Sequence, residues 1–238
     1  KVNGLPQSAT GQTALLSGKN AAKAMGRHKS GFPGPTLIDI ISKYNIYNKL
    51  SNYNLNSTFA NAYTKNYVDK VYKNNRKGSV TTQCIIHSEN NFRFLEEIKN
   101  NNAIYQDFTN KILIDKGHNL PRFTPKKAAN ILSNISLKHN FTLYEFFQTD
   151  KAGHSQDINF AIDILENLDK FLFQLVRNLK NKVTIIISSD HGNIEDLSIK
   201  THTKNYVPTI IIGKQKLDLK KSISKITDIT PAIISELK

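Results

Sequence analysis

The chain has 238 residues, a single cysteine, and 33 Lys plus Arg against 19 Asp plus Glu, for a formal net charge of +14. That length suits one α/β domain, since such folds reach roughly 250 residues as a unit and bury about 70% of the unfolded surface. One cysteine excludes an intramolecular disulfide framework and fits a reducing compartment. No apolar run approaches the ~20 residues of a spanning helix, so a cytoplasmic protein with no membrane segment is expected.

Only five of the basic residues are Arg, and Lys is spread along the whole sequence. Nucleic-acid footprints concentrate Arg and Lys on one face, often with stacking aromatics, so nucleic acid is not the expected partner. A positive field does draw anionic substrates toward a cleft. A small phosphorylated molecule fits that field.

In chain order, no targeting signal is visible in the stretch that opens Lys1-Val2-Asn3-Gly4, which reads as an internal start. Gly11 to Leu16 reads as a helix closed by Gly18, and Gly26 to Pro35 as a Gly- and Pro-rich loop, after which Thr36 caps a helix through Leu37, Ile38, Ile40 and Ile41. Residues 43–125 are polar and rich in Asn and Tyr. Apolar residues at helix-like intervals predict helices near 58–73 and 91–101, so the segment is expected to be a helical insertion or small cap. Thr124-Pro125 starts a helix running to about Lys138. Phe141 to Phe147 reads as a strand, residues 156–180 as a long amphipathic helix, and Val183 to Ser188 as a β-branched strand buried on both faces. Val207 to Ile212 is a second such strand, and a last helix begins near Asp228-Ile229-Thr230-Pro231. This alternation predicts an α/β fold with a mostly parallel sheet and helices on both faces.

Two clusters of metal-ligand residue types follow predicted strands: Asp150-Lys151-Ala152-Gly153-His154 and Asp190-His191-Gly192-Asn193. In open parallel sheets the loops at the carboxyl ends of strands converge on one crevice, which places both clusters at the same edge. Thr201-His202-Thr203 lies in the loop before Val207-Pro208. Two Asp and three His supply the carboxylate and imidazole donors that Zn, Mn or Fe accept. Ser8, just before a predicted helix, either caps that helix or receives a phosphoryl group beside the helix end.

Ser8-x-x-Gly11, Asp150-x-x-x-His154, the DHGN-x-E stretch Asp190 to Glu195, and the THT-x-x-x-VP stretch Thr201 to Pro208 resemble the alkaline phosphatase superfamily. The resemblance is to its metalloenzyme branch, which includes cofactor-independent phosphoglycerate mutase and phosphopentomutase. It covers residues 4–18 and 141–238. The resemblance implies two divalent ions, Mn or Zn: one held by Asp150, His154 and His202, the other by Asp190, His191 and Ser8. Ser8 would be transiently phosphorylated in a phosphomutase, phosphatase or phosphodiesterase reaction. The sulfatase branch is disfavoured, because Cys84 is followed by Ile85 and Ile86 and not by a Cys-x-Pro-x-Arg sequence; Cys84 reads as a small core residue.

One departure stands out. The family carries a further Asp at the end of a strand upstream of the nucleophile, and none of the seven residues before Ser8 is acidic. An N-terminally truncated domain lacking its first strand, with an incomplete second metal site, is the expectation. Lys151 and Arg27 are candidate phosphate contacts, while Asn193 and Glu195 are candidates for orienting the ligands. Two rival readings are a non-catalytic basic protein that binds polyanions or nucleic acid, and an inactive fragment.

Overall fold

A computed structural model describes residues 2–74, 78–214 and 216–238. The chain is mixed α/β and dominated by short helices. Helix α1 (Ser8–Ser17) ends at Gly18 in the left-handed region, φ 72°, a conformation that glycine reaches without a Cβ penalty. After α2 (Ala21–Met25) and a loop, α3 (Pro35–Tyr44) starts with Gly34 as its cap and Pro35 at the first helical position. Thr36 therefore lies inside the helix and not at its cap. α3 buries Leu37, Ile40 and Ile41, the three- and four-residue spacing of one helical face.

The segment expected to be a helical insertion holds short helices joined by long loops, and it also contains a strand. It comprises α4 (Ile46–Ser51), β1 (Ser57–Phe59), α5 (Lys65–Lys73), α6 (Val80–Ile86), α7 (Leu95–Lys99) and α8 (Lys111–Asp115). The helix expected at 58–73 thus begins only at Lys65, capped by Thr64. The preceding Ser57-Thr58-Phe59 is extended because it pairs in parallel with β2 (Phe141–Leu143), Ser57 opposite Phe141 and Phe59 opposite Leu143. Tertiary pairing overrides the local pattern. α9 (Pro125–Ser136) is the last helix before β2 and is capped by Thr124, whose side chain accepts from the Lys127 amide.

Helices cover both sides of this strand pair. Phe141 and Leu143 pack with a core built from α1, α3, α4 and α6, which includes Leu37, Ile41, Tyr47 and Cys84. Tyr144 and Phe146 pack with a second core formed by α9, residues 98–123 and the long α11 (Ile158–Leu179). There Phe108 stacks on Phe171 at 4.6 Å between ring centroids and on Phe146 at 5.2 Å. Residues 43–125 contribute to both cores. Cys84 is fully buried, and burial pushes its thiol far up, so it packs as an inert apolar group.

The strands that follow differ from expectation. β3 (Ile185–Ser188) and β4 (Thr209–Ile212) form an antiparallel pair, Ile185 opposite Ile212 and Ser188 opposite Thr209. β3 is half-buried throughout and Ile210 is exposed, so neither strand is covered on both faces. An unbroken β-branched run fits a half-buried antiparallel strand as well as a buried parallel one, and the loop 189–208 turns the chain back on itself. The described strands thus form two separate pairs, one parallel and one antiparallel, not one mostly parallel sheet. α12 (Lys216–Ser222) and α13 (Ile226–Leu237) close the chain; Thr230 of α13 donates to the Leu15 carbonyl and fastens α13 to α1.

Removing the central ring of the second core tests this packing. Phe171→Ala should lower the unfolding free energy by about 3–5 kcal/mol, read from the urea midpoint at constant slope.

Candidate metal centre

Three segments deliver the candidate ligands. The first is α10 (Gln148–Ser155), which begins shortly after β2. Asp150 and His154 therefore sit on a helix, one turn apart and on one face, and not in a strand-end loop. The second is the turn after β3, carrying Asp190 and His191, and the third is the loop carrying His202. An antiparallel bridge between Gly192 and Thr203 ties the second to the third.

Ser8 is the first residue of α1, and its Oγ lies 2.9 Å from His191 Nε2. Several bonds hold α1 in this place. The Thr10 amide donates to the Lys29 carbonyl, and Gln12 donates to Glu145 Oε1 at 2.8 Å. At Gly11 the helix meets the Asp190 backbone so closely that a Cβ would overlap the Asp190 carbonyl oxygen. Only glycine permits that approach.

The five ligand candidates converge. Asp150 Oδ1 stands 3.5 Å from His154 Nε2, 3.5 Å from His202 Nε2 and 3.9 Å from His191 Nε2. The His191 and His202 rings stack with centroids 3.7 Å apart, and His202 Nε2 lies 3.2 Å from His154 Nε2. Asp190 Oδ2 is 3.5 Å from His191 Nε2 and is buried without a hydrogen-bond partner among the described residues.

The outer nitrogens decide the chemistry of the inner ones. His154 Nδ1 is 2.7 Å from the Lys200 carbonyl and His202 Nδ1 is 2.8 Å from the Pro6 carbonyl. A carbonyl only accepts, so each Nδ1 must carry the proton, and in a neutral ring the Nε2 is then a lone pair. Burial, outweighing the Pro6 bond, lowers the pKa of His202, which favours that neutral form. Two imidazole lone pairs 3.2 Å apart, beside a carboxylate oxygen, have no donor between them. Such a set of acceptors fits a divalent cation that takes nitrogen and oxygen ligands, and the orphaned Asp190 oxygen fits one as well. Asp150, His191 and His202 place their donor atoms within 4.8 Å of one another. His191, which the sequence resemblance assigned to the other ion, thus lies within reach of Asp150 and His202 as well.

The remaining candidates are placed less centrally. Lys151 is exposed beside Asp150, and partial burial together with nearby Lys116 lowers its pKa. Arg27 is exposed in the loop after α2 and makes no hydrogen bond or ion pair with the described residues. Glu145 escaped the sequence reading. Its carboxylate accepts from Gln12 and from Thr81, and its backbone is bonded in both directions to the Asn61 side chain. Its only signal in the sequence was an acidic residue inside an apolar strand pattern. Desolvation, reinforced by the negative Asp190, pushes its pKa up to about 8.

The family model of the Metalloenzyme superfamily matches residues 101–238, more than half of the chain. The chain belongs to the Metalloenzyme superfamily. The matched region includes Asp150, His154, Asp190, His191 and His202, while Ser8 lies outside it. Three relatives are described as 2,3-bisphosphoglycerate-independent phosphoglycerate mutase. That of Desulforudis audaxviator is 30% identical over 113 residues, 44% of this chain and 22% of the relative. That of Mycoplasmopsis synoviae is 29% identical over 119 residues, 47% of this chain and 24% of the relative. That of Metamycoplasma hominis is 26% identical over 148 residues, 60% of this chain and 29% of the relative. The chain thus spans about a quarter of the length of these superfamily members. No helix among the described residues is long and apolar enough to cross a membrane.

Glu145 gives this superfamily member a pH signature. Its carboxyl is neutral in the fold up to about pH 8 but ionises near 4.5 when unfolded, so the native state holds the extra proton between those values. Its contribution to stability is complete below pH 4.5 and is lost as pH rises through about 8. Glu145→Gln should therefore melt at a higher temperature than wild type at pH 8 and show little difference at pH 4.5, measured by calorimetry in metal-free buffer.

Proposed function

We propose that this chain carries the metal centre of a phosphoryl-transfer enzyme, acts on a small phosphorylated substrate and uses Ser8 as the residue that is transiently phosphorylated. The observation that carries the reading is the inward-facing set of acceptors: His154 Nε2, His202 Nε2 and Asp150 Oδ1 on one side, Asp190, His191 and Ser8 on the other. Membership of the Metalloenzyme superfamily and the mutase relatives support it. We assign one divalent ion, Mn or Zn, to Asp150, His154 and His202, and a second to Asp190, His191 and Ser8, with His191 close enough to Asp150 to bridge the two groups. Such ions, when bound, neutralise charge on the attacking and transferring oxygens.

The chain's own residues then do the following. The N-terminus of α1, pinned at Gln12 and Gly11, presents the Ser8 hydroxyl to the cluster. Ser8 Oγ forms a bond to phosphorus as the ester P–O bond of the substrate breaks, and the proton that Ser8 loses passes in net to the leaving alkoxide, which becomes a free hydroxyl. Transfer back to a different hydroxyl of the same molecule makes the cycle a mutase; transfer to water makes it a hydrolase. The relatives favour the mutase outcome. Lys151 and Arg27 are the cations assigned to the substrate phosphate, Lys151 through its place beside Asp150. The basic surface, +14 in formal charge, raises the local concentration of such anions.

The test is an assay with Mn or Zn on an aryl phosphate and on phosphoglycerate. Wild type should turn over, and Ser8→Ala and Asp190→Ala should each lose on the order of 100-fold or more, as when a transition-state contact is removed. Equal activity in all three proteins would sink the mechanism. Affinity for nucleic acid that falls steeply with salt and ignores both substitutions would instead favour a polyanion-binding protein.

A further inference from the structure

Asp150 is central to the cluster, yet its side chain is 41% exposed and is free by its own geometry to rotate toward solvent. Among the described residues, one hydrogen-bond donor reaches its carboxylate. Asn193 Nδ2 donates to Asp150 Oδ1 at 2.7 Å and to the Asp150 backbone carbonyl at 3.1 Å, which fixes both the side chain and the start of α10. The opposite amide orientation would set Asn193 Oδ1 against two acceptors, so only one orientation is favourable. Asn193 is itself 4% exposed and reaches Asp150 through a slot beside Gly153, where a Cβ would overlap its amide.

The backbone of Asn193 is held in turn. Its amide donates to Glu195 Oε2 at 2.6 Å, while Glu195 Oε1 accepts from the Thr203 hydroxyl and from Asn205 Nδ2 at 3.2 Å. Burial pulls the Glu195 pKa upward, but these bonds outweigh it and hold the carboxylate ionised. The chain of contacts therefore runs from the loop of His202 through Glu195 and Asn193 to Asp150 on α10.

We propose that Asn193 is the positioning residue that aims the Asp150 carboxylate at the imidazoles of His154 and His202, through the space left by the missing side chain at Gly153. The proposal builds on the metal-centre reading above, and it also makes a claim about the metal-free protein. Asn193→Ala removes the donor. Gly153→Ala keeps the donor but fills its slot, and alanine favours the helix, so this variant remains a test should the first fail to fold.

In metal-free protein, long-range 15N–1H spectra of the imidazoles should show His154 and His202 resonances displaced in both variants. Resonances that stay at their wild-type positions in both would overturn the proposal. In a Mn(II) titration followed by electron paramagnetic resonance, both variants should bind about 10- to 100-fold more weakly than wild type, the effect expected when a ligand's orienting partner is lost. Unchanged Mn(II) affinity would likewise overturn it. Displaced imidazoles with no Mn(II) binding even in wild type would uphold the positioning role and refute the metal-centre reading instead.

Discussion

Hydrogen-bond acceptors turned toward one another are the constraint around which this molecule is arranged. Two imidazole nitrogens whose protons are committed outward, to the Lys200 and Pro6 carbonyls, turn lone pairs toward each other and toward a carboxylate. Acceptors that face one another with no donor between them cost free energy unless a proton or a cation lies there, and most of all at the buried His202. The Asp190 oxygen adds to the same imbalance. A fold keeps such a cluster only because the surrounding bonds are strong enough to hold it open.

Those bonds come from backbone contacts that only glycine permits. Gly11 lets α1 lie against the Asp190 backbone, and Gly153 lets α10 accept the Asn193 amide. Each brings a helix within reach of a turn from a distant part of the sequence, so Ser8 and Asp150, 142 positions apart, face one locus. The two helical cores on either side of the β1 and β2 pair fix the spacing, the one holding α1 and the other holding α11, from which the chain passes to β3. Stability and chemistry thus meet at the same contacts.

Glu145 shows the cost of such an arrangement. A buried carboxyl beside the negative Asp190 stays neutral where most carboxylates are charged. Its hydrogen bond to Gln12 is part of what fastens α1. The centre is therefore bordered by acids on more than one side, and burial raises the pKa of both Glu145 and Asp190.

Much of the chemistry was legible in the residues themselves. The types and spacing of Asp150, His154, Asp190, His191 and His202 made them ligand candidates, and Thr124-Pro125 and the 156–180 stripe gave helices where the structure has them, because caps and amphipathic periods are local signals. Strand partners are not local. The run Val183 to Ser188 carried no sign of whether its neighbour would be parallel, and the pattern at 58–73 hid a strand whose partner lies more than eighty positions away. Which nitrogen of each histidine faces inward, which acids lie beside Ser8, and which glycine stands against which backbone were settled only by folding. These depend on distances between segments that no spacing along the chain encodes: sequence alone determines which atoms can bind, and tertiary packing decides which of them meet.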